Sequence, residues 1–216
     1  MKWRTVIFDM DGTVLNTLED LLGAMNHAMR THGFKEHTLS EMQSYVGDGL
    51  YMMAKRAVPE GSDEETVQSV FKCFKSYYSE HLNIKTRPYE GITELLHALK
   101  AAGIKTAVSS NKYDAGAKML SREHFGELID FTVGESKTVP KKPDPTGTLL
   151  IMRTLSANPA TTLYVGDSGV DIETAKNAHL PMAAVSWGFR SREQLLEGGA
   201  EVIFDDVSAL QNYILN

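Results

Sequence analysis

The chain predicts an α/β protein, a doubly wound parallel sheet interrupted after its first strand by an all-helical insertion. Three observations carry this. The run Val6-Ile7-Phe8 after Thr5 has the apolar, β-branched and aromatic character of a buried strand. Residues 16–85 show only helical periodicity. From residue 92 onward strands and helices alternate, the pattern of a parallel sheet with helical crossovers.

The elements follow in order. Leu21, Leu22, Met25, Ala28 and Met29 recur at helical spacing over 18–32, and 39–46 and 50–58 read as shorter helices split by Gly47-Asp48-Gly49. Val67, Val70, Phe71, Phe74 and Tyr78 form one stripe over 63–82. Helix 92–102 ends at Gly103, a natural C-terminal cap. Strand 104–108, helix 115–123, strand 131–133, helix 146–155, strand 163–165, helix 170–178, strand 182–185, strand 202–204 and helix 207–215 complete the series. The predicted units are 1–15 with 86–216 as an α/β core, and 16–85 as a helical unit.

Composition bounds the function. The 216 residues carry 42% hydrophobic and 23% charged side chains, ordinary for a globular protein. A formal net charge of -6 argues against a broad basic face for nucleic acid. It permits an anionic small substrate, because local cations override the global sign. The single cysteine, Cys73, forms no intrachain disulfide and reads as a small core residue. Met1-Lys2-Trp3-Arg4 runs straight into the first strand without a signal-peptide pattern, and no run is long enough to cross a membrane, so a cytoplasmic setting is expected. Trp3 reads as packing, and the seven histidines have no metal-ligand spacing. Nothing in the chain decides between monomer and homodimer.

Four polar clusters carry the chemistry. Asp9 and Asp11 follow the first strand, where open α/β sheets put their ligands. Neighbouring carboxylates repel unless a cation or a shared proton offsets them; Mg²⁺, which takes oxygen ligands, is a natural partner, and an Asp-rich turn is the alternative. Ser110 and Asn111 stand where a strand is predicted to meet a helix, suited to an anion or to a helix cap. Lys142 lies in the rigid Pro140-Lys141-Lys142-Pro143-Asp144-Pro145 loop, either solvated or pinned to face a phosphate. Pro145 suits the start of the following helix. Asp167 ends another buried strand, and Asp171, one helical turn later, either joins it or caps a helix start.

Taken together and in this order, Asp9-Met10-Asp11-Gly12-Thr13, Ser110-Asn111, Lys142-Pro143 and Gly166-Asp167-Ser168…Asp171 resemble the four motifs of the haloacid dehalogenase superfamily. The resemblance spans the chain and includes the helical insertion, which matches that superfamily's cap on a Rossmann-like core. It implies that Asp9 attacks phosphorus and forms an aspartyl-phosphate, while Asp11 handles the proton. It implies that Mg²⁺ is held by Asp9, the Asp11 carbonyl and Asp167, with Asp171 either a further ligand or the anchor of a metal-bound water. Gly12, Thr13, Ser110, Asn111 and Lys142 are implied around the phosphoryl group, with Ser110 and Lys142 counted among the catalytic residues. Asp11 stands where dehalogenating relatives lack an acid, which points to phosphomonoester chemistry.

Asn16-Thr17-Leu18-Glu19-Asp20-Leu21, Val46-Gly47-Asp48-Gly49-Leu50, Pro88-Tyr89-Glu90-Gly91-Ile92, Ser110-Asn111-Lys112 and Trp187-Gly188-Phe189-Arg190 are similar to the phosphoglycolate phosphatase-like subgroup. Asn16 departs from it, standing where an Asp is common. A small phosphorylated metabolite is the expected partner, and Gly47 and Gly49 give their loop the backbone freedom to approach it. The alternatives are a phosphatase for pyrophosphate, nucleotides or sugar phosphates, and a sugar phosphomutase of the β-phosphoglucomutase type. Leu21 stands where that mutase type carries a histidine, which argues against the last.

Overall fold

The computed structural model describes residues 2–216. The chain divides into two compact units, one running to Asn16 and resuming over Pro88–Asn216, the other Thr17–Arg87. These boundaries lie one and two residues beyond those that the sequence predicts.

The elements in chain order are β1 (Thr5–Phe8), β2 (Leu15–Asn16), α1 (Leu18–Thr31), α2 (Leu39–Tyr45), α3 (Leu50–Ala57), α4 (Glu64–His81), β3 (Arg87–Pro88), α5 (Ile92–Ala101), β4 (Lys105–Tyr113), α6 (Asp114–Phe125), β5 (Phe131–Glu135), α7 (Thr146–Thr154), β6 (Thr162–Gly166), α8 (Gly169–Asn177), β7 (Met182–Val185), α9 (Arg192–Glu197), β8 (Ile203–Phe204) and α10 (Val207–Leu215).

Six strands form one sheet in the order β5-β4-β1-β6-β7-β8, every adjacent pair parallel. β1 lies inside it, and all four of its residues are buried. That is why it reads as a continuous apolar run rather than an alternating one. Ile7, Ala107, Val133 and Tyr164 pack with Ile151 and Met152 of α7, Ala175 of α8 and Ala178, which caps α8. Each large apolar side chain so buried contributes about 1.5–3 kcal/mol. The sheet also fixes the site. Parallel pairing brings the carboxyl ends of β1, β4 and β6 side by side, with Phe8 opposite Val108 and Val165.

In the other unit α1 packs on α4 and α3 joins them. Val67, Val70, Phe74 and Tyr78 are buried, as are Leu21, Met25, Ala28 and Met29. Asp20 is buried among them and its carboxylate accepts from the backbone N–H groups of Ile84, Lys85 and Thr86 and from the Thr86 hydroxyl, at 2.8–3.0 Å. Glu19 pairs with Lys85 and Arg87. No helix among the described residues is long and apolar enough to cross a membrane.

Several expectations need correction. β4 does not stop at Val108 but continues to Tyr113, with its pairing to β5 slipping between Ser109 and Tyr113. Ser110 and Asn111 therefore lie in the strand, not at a helix N-terminus, because α6 starts only at Asp114. Helix α9, capped by Ser191, is too short to show a period in the sequence. The two-residue strands β2 and β3 carry no pattern at all. Pro145 is the capping residue of α7 rather than its first helical residue. Cys73 is half-buried, on the flank of α4 rather than in the core.

Candidate active site

Four acids and two lysines converge at the carboxyl end of the sheet. Asp9 leaves β1, Asp11 follows in a tight turn, Asp167 leaves β6, and Asp171 is the third residue of α8. The turn after Asp9 closes on the Met10 carbonyl, which accepts from the N–H groups of Thr13, Val14 and Leu15. Gly12 has φ +91° there, and a Cβ on it would strike the Asp167 carboxylate and the Phe189 ring. Only glycine satisfies both the backbone and the space.

Asp9 Oδ1 accepts from the Met10 N–H at 2.6 Å and from Lys142 Nζ at 2.7 Å. The same Nζ stands 2.7 Å from Asp171 Oδ1. Asp171 Oδ2 accepts from the Ser168 N–H at 3.1 Å and its hydroxyl at 2.5 Å. One oxygen of Asp171 thus caps α8, and the other faces the lysine. Asp167 accepts from the Thr13 hydroxyl at 3.0 Å and the Phe189 N–H at 2.7 Å. Lys112 Nζ lies 3.0 Å from Asp11 Oδ1.

Burial, reinforced by the Asp171 charge, raises Asp9 well above the ordinary carboxylate range and pushes Asp167 up to about 7. Burial alone would depress the Lys142 ammonium, but Asp171 and Asp9 outweigh it and hold the lysine firmly charged. One oxygen from each of Asp9, Asp167 and Asp171 falls within 4.8 Å of the others. Four carboxylates against two ammonium groups leave a formal excess of two negative charges. Oxygen donors, close grouping and that excess fit a hard divalent cation.

The remaining site residues divide. Ser110 is buried, and its Oγ accepts from the Lys112 N–H at 3.1 Å, which leaves its own proton to donate. Asn111 turns its side chain to the neighbouring loop instead: Oδ1 accepts from Lys142 N at 2.6 Å and Nδ2 donates to Lys142 O at 3.3 Å. This amide braces the backbone of Lys142. The Thr13 hydroxyl likewise serves Asp167. Gly47 belongs to the other unit, between α2 and α3, where Arg56 donates to the Tyr45 carbonyl at 2.8 Å and pairs with Asp48.

Four further residues around these acids make contacts that sequence reasoning does not assign. Tyr164, fully buried in β6, donates to Asp171 Oδ1 at 3.3 Å; a tyrosine inside an apolar strand was the available signal. The Phe189 N–H is held to Asp167 by a loop in which a Cβ on Gly188 would strike both Asp167 and the Gly12 carbonyl. In the same loop Trp187 Nε1 donates to the Thr13 carbonyl at 3.0 Å. Lys112 is legible in the sequence as the last residue of the Ser110-Asn111-Lys112 motif, with no role of its own.

This arrangement defines a class, a parallel α/β protein whose acids gather at the carboxyl end of its sheet. Residues 6–185 match the family model of haloacid dehalogenase-like hydrolases, and the chain belongs to that family. It is 31% identical to a phosphoglycolate phosphatase of Psychrobacter arcticus, over 100% of this chain and 97% of that protein. It is 33% identical to an N-acetylmuramic acid 6-phosphate phosphatase of Pseudomonas aeruginosa, over 95% of this chain and 92% of that protein. A crystal structure from Lactobacillus delbrueckii subsp. bulgaricus, provisionally assigned as a phosphoglycolate phosphatase, is similar with TM-score 0.95 and 34% identity over the whole of both chains.

Proposed function

We propose that this phosphoric monoester hydrolase acts on a small anionic phosphomonoester of the phosphoglycolate kind, through an aspartyl-phosphate on Asp9. The observation that carries the reading is the pairing of Lys142 with Asp9. A fixed positive charge sits 2.7 Å from the carboxylate that must approach an anionic phosphoryl group.

Asp9 Oδ1 is held by two donors, which leaves Oδ2 to attack phosphorus. The P–O bond to the alcohol breaks as the Asp9–phosphorus bond forms, and Asp11 gives its proton to the departing oxygen. Water then attacks phosphorus, its proton returns to Asp11, and the Asp9–phosphorus bond breaks to release phosphate. Lys142 and the Ser110 hydroxyl offset charge on the equatorial oxygens, the preorganised stabilisation that dominates such transfers. Asp9, Asp167 and Asp171, with the Asp11 carbonyl, would hold Mg²⁺, which supplies charge neutralisation at the phosphoryl oxygens.

The relatives' names support phosphoglycolate first, and the muramic acid 6-phosphate relative makes a sugar phosphate the second substrate class to test. Two experiments test the proposal. Asp9→Asn should abolish turnover without unfolding, and beryllium fluoride should form its adduct on Asp9 of the wild type. A panel of phosphorylated metabolites ranked by kcat/KM should put phosphoglycolate above nucleotides, pyrophosphate and a plain aryl phosphate. Near-normal activity of Asp9→Asn overturns the mechanism; a different leader in the panel overturns the substrate.

A further inference from the structure

Lys112 takes a charge to a place where lysine is seldom buried. Its side chain is 3% exposed, and its Nζ stands 3.0 Å from Asp11 Oδ1. Strand pairing explains the meeting. Phe8 and Val108 are in register on adjacent parallel strands; Asp11 lies three residues beyond the first and Lys112 four beyond the second. The slip in β4 past Ser109 and the Lys112 N–H···Oγ bond to Ser110 set the lysine backbone. A Cβ on Gly134 would strike the Lys112 carbonyl, so the neighbouring strand also fits closely against it.

Asp11 is the least enclosed of the four acids: its side chain is 18% exposed, against 11% for Asp9 and 0% for Asp171. Asp9, Asp167 and Asp171 each accept two or more hydrogen bonds that fix their carboxylates. Proton delivery demands the same of Asp11, because a donor must stand within hydrogen-bond reach of the departing oxygen. A buried ammonium beside one oxygen orients Asp11 in both of its states, donating to the carboxylate and, when the acid is protonated, to its carbonyl oxygen so that the other oxygen carries the proton, and it is little screened by salt.

We propose that Lys112 is a positioning residue that holds Asp11 in the orientation for proton delivery, while Lys142 alone of the two lysines serves the phosphoryl group. The proposal rests on the reading of Asp11 as the proton donor. It separates the two buried lysines by the step each supports. Lys142 serves every substrate alike. Lys112 matters in proportion to how badly the leaving oxygen needs a proton.

The test is kcat/KM for a series of substituted phenyl phosphates with progressively poorer leaving groups, in wild type, Lys112→Met, Lys112→Gln and Asp11→Asn. The loss in Lys112→Met should grow along the series, by about tenfold or more between the best and the poorest leaving group, inside the range that acid–base groups contribute. Lys112→Gln, which keeps a shorter donor, should fall between Lys112→Met and wild type and preserves the test if Lys112→Met does not fold. Asp11→Asn should show the steepest trend. If Asp11→Asn shows the trend and the Lys112 variants lose activity equally on all substrates, the positioning role is wrong while the acid–base reading stands. If Asp11→Asn shows no trend, both fall. A raised KM confined to phosphoglycolate, with the phenyl series unaffected, would instead make Lys112 a direct ligand of the substrate's carboxylate and overturn the proposal.

Discussion

Phe189 and Asp167 are joined across 22 residues by a backbone N–H that donates to Asp167 Oδ2 at 2.7 Å. This bond exists only because Gly188 lets the chain lie against the Gly12 carbonyl and the Asp167 carboxylate. Gly188→Ala should therefore displace the loop and misorient Asp167. Overpacking of this kind costs about 1–3 kcal/mol. Melting temperature and Mg²⁺ affinity by calorimetry should both fall. Gly23→Ala is the contrasting change: an added Cβ meets nothing within 4 Å inside α1, so stability should rise by about 0.5–1 kcal/mol.

Lys142→Ala should be far worse than Lys141→Ala. The Lys142 side chain is 6% exposed and compensates both Asp9 and Asp171, whereas Lys141 is only half-buried. Losing one preorganised charge at a phosphoryl site costs about 10²–10³-fold in kcat. Steady-state kinetics on the best substrate checks this, and equal small effects from the two lysines would remove Lys142 from the mechanism.

The raised acids make stability depend on metal and pH together. Asp167 titrates near 7 in the fold against an ordinary value of 3.8, chiefly through burial, so the folded state holds the extra proton. Without metal, that proton favours the fold at low pH and the benefit is lost as pH rises from about 4 through 7. The lowered surface acids, such as Asp63 and Glu64, have delivered their contribution above about pH 5, and the depressed His124 favours the fold as pH rises, opposite to Asp167. The clean quantity is the gain in melting temperature on adding Mg²⁺, which should increase from pH 5 to pH 8 because only ionised carboxylates bind the cation. A gain independent of pH would contradict the cation site.

Asp20→Ala should destabilise the helical unit. Four hydrogen bonds to one buried carboxylate would be lost, leaving the N–H groups of residues 84–86 to find other partners. Bonds to a charged acceptor contribute about 1.5–3 kcal/mol each, and partial rescue by water makes a net loss of about 2 kcal/mol the least expected. Denaturant unfolding of the full chain measures it.

The acids were legible because each announces itself locally. Asp9 and Asp167 follow runs too apolar for a surface strand, and Asp171 lies one helical turn beyond. The insertion was legible from its unbroken 3.6-residue period. What each polar side chain does was not. Thr13 and Asn111 looked suited to phosphate, yet their partners lie 154 and 31 residues away, and no local pattern encodes that. The partner of Lys112 depends on β4 running on to Tyr113 with a slip past Ser109, and a strand end of that kind has no period to read. Gly188 betrays itself only once the neighbouring turn is known.

The Asp20 clamp has a wider meaning for how such a chain can change over time. It ties the start of the helical unit to residues 84–86, where that unit ends. In the α/β unit the Val14 carbonyl accepts from the Tyr89 N–H, so the two edges of the interruption are likewise stitched together. Each unit thus leaves and re-enters at a single point, like an appendix sewn into a book without disturbing its binding. Descendants of such a chain can lengthen, trim or trade the appended helices while the sheet keeps its pairing, its register and its acids.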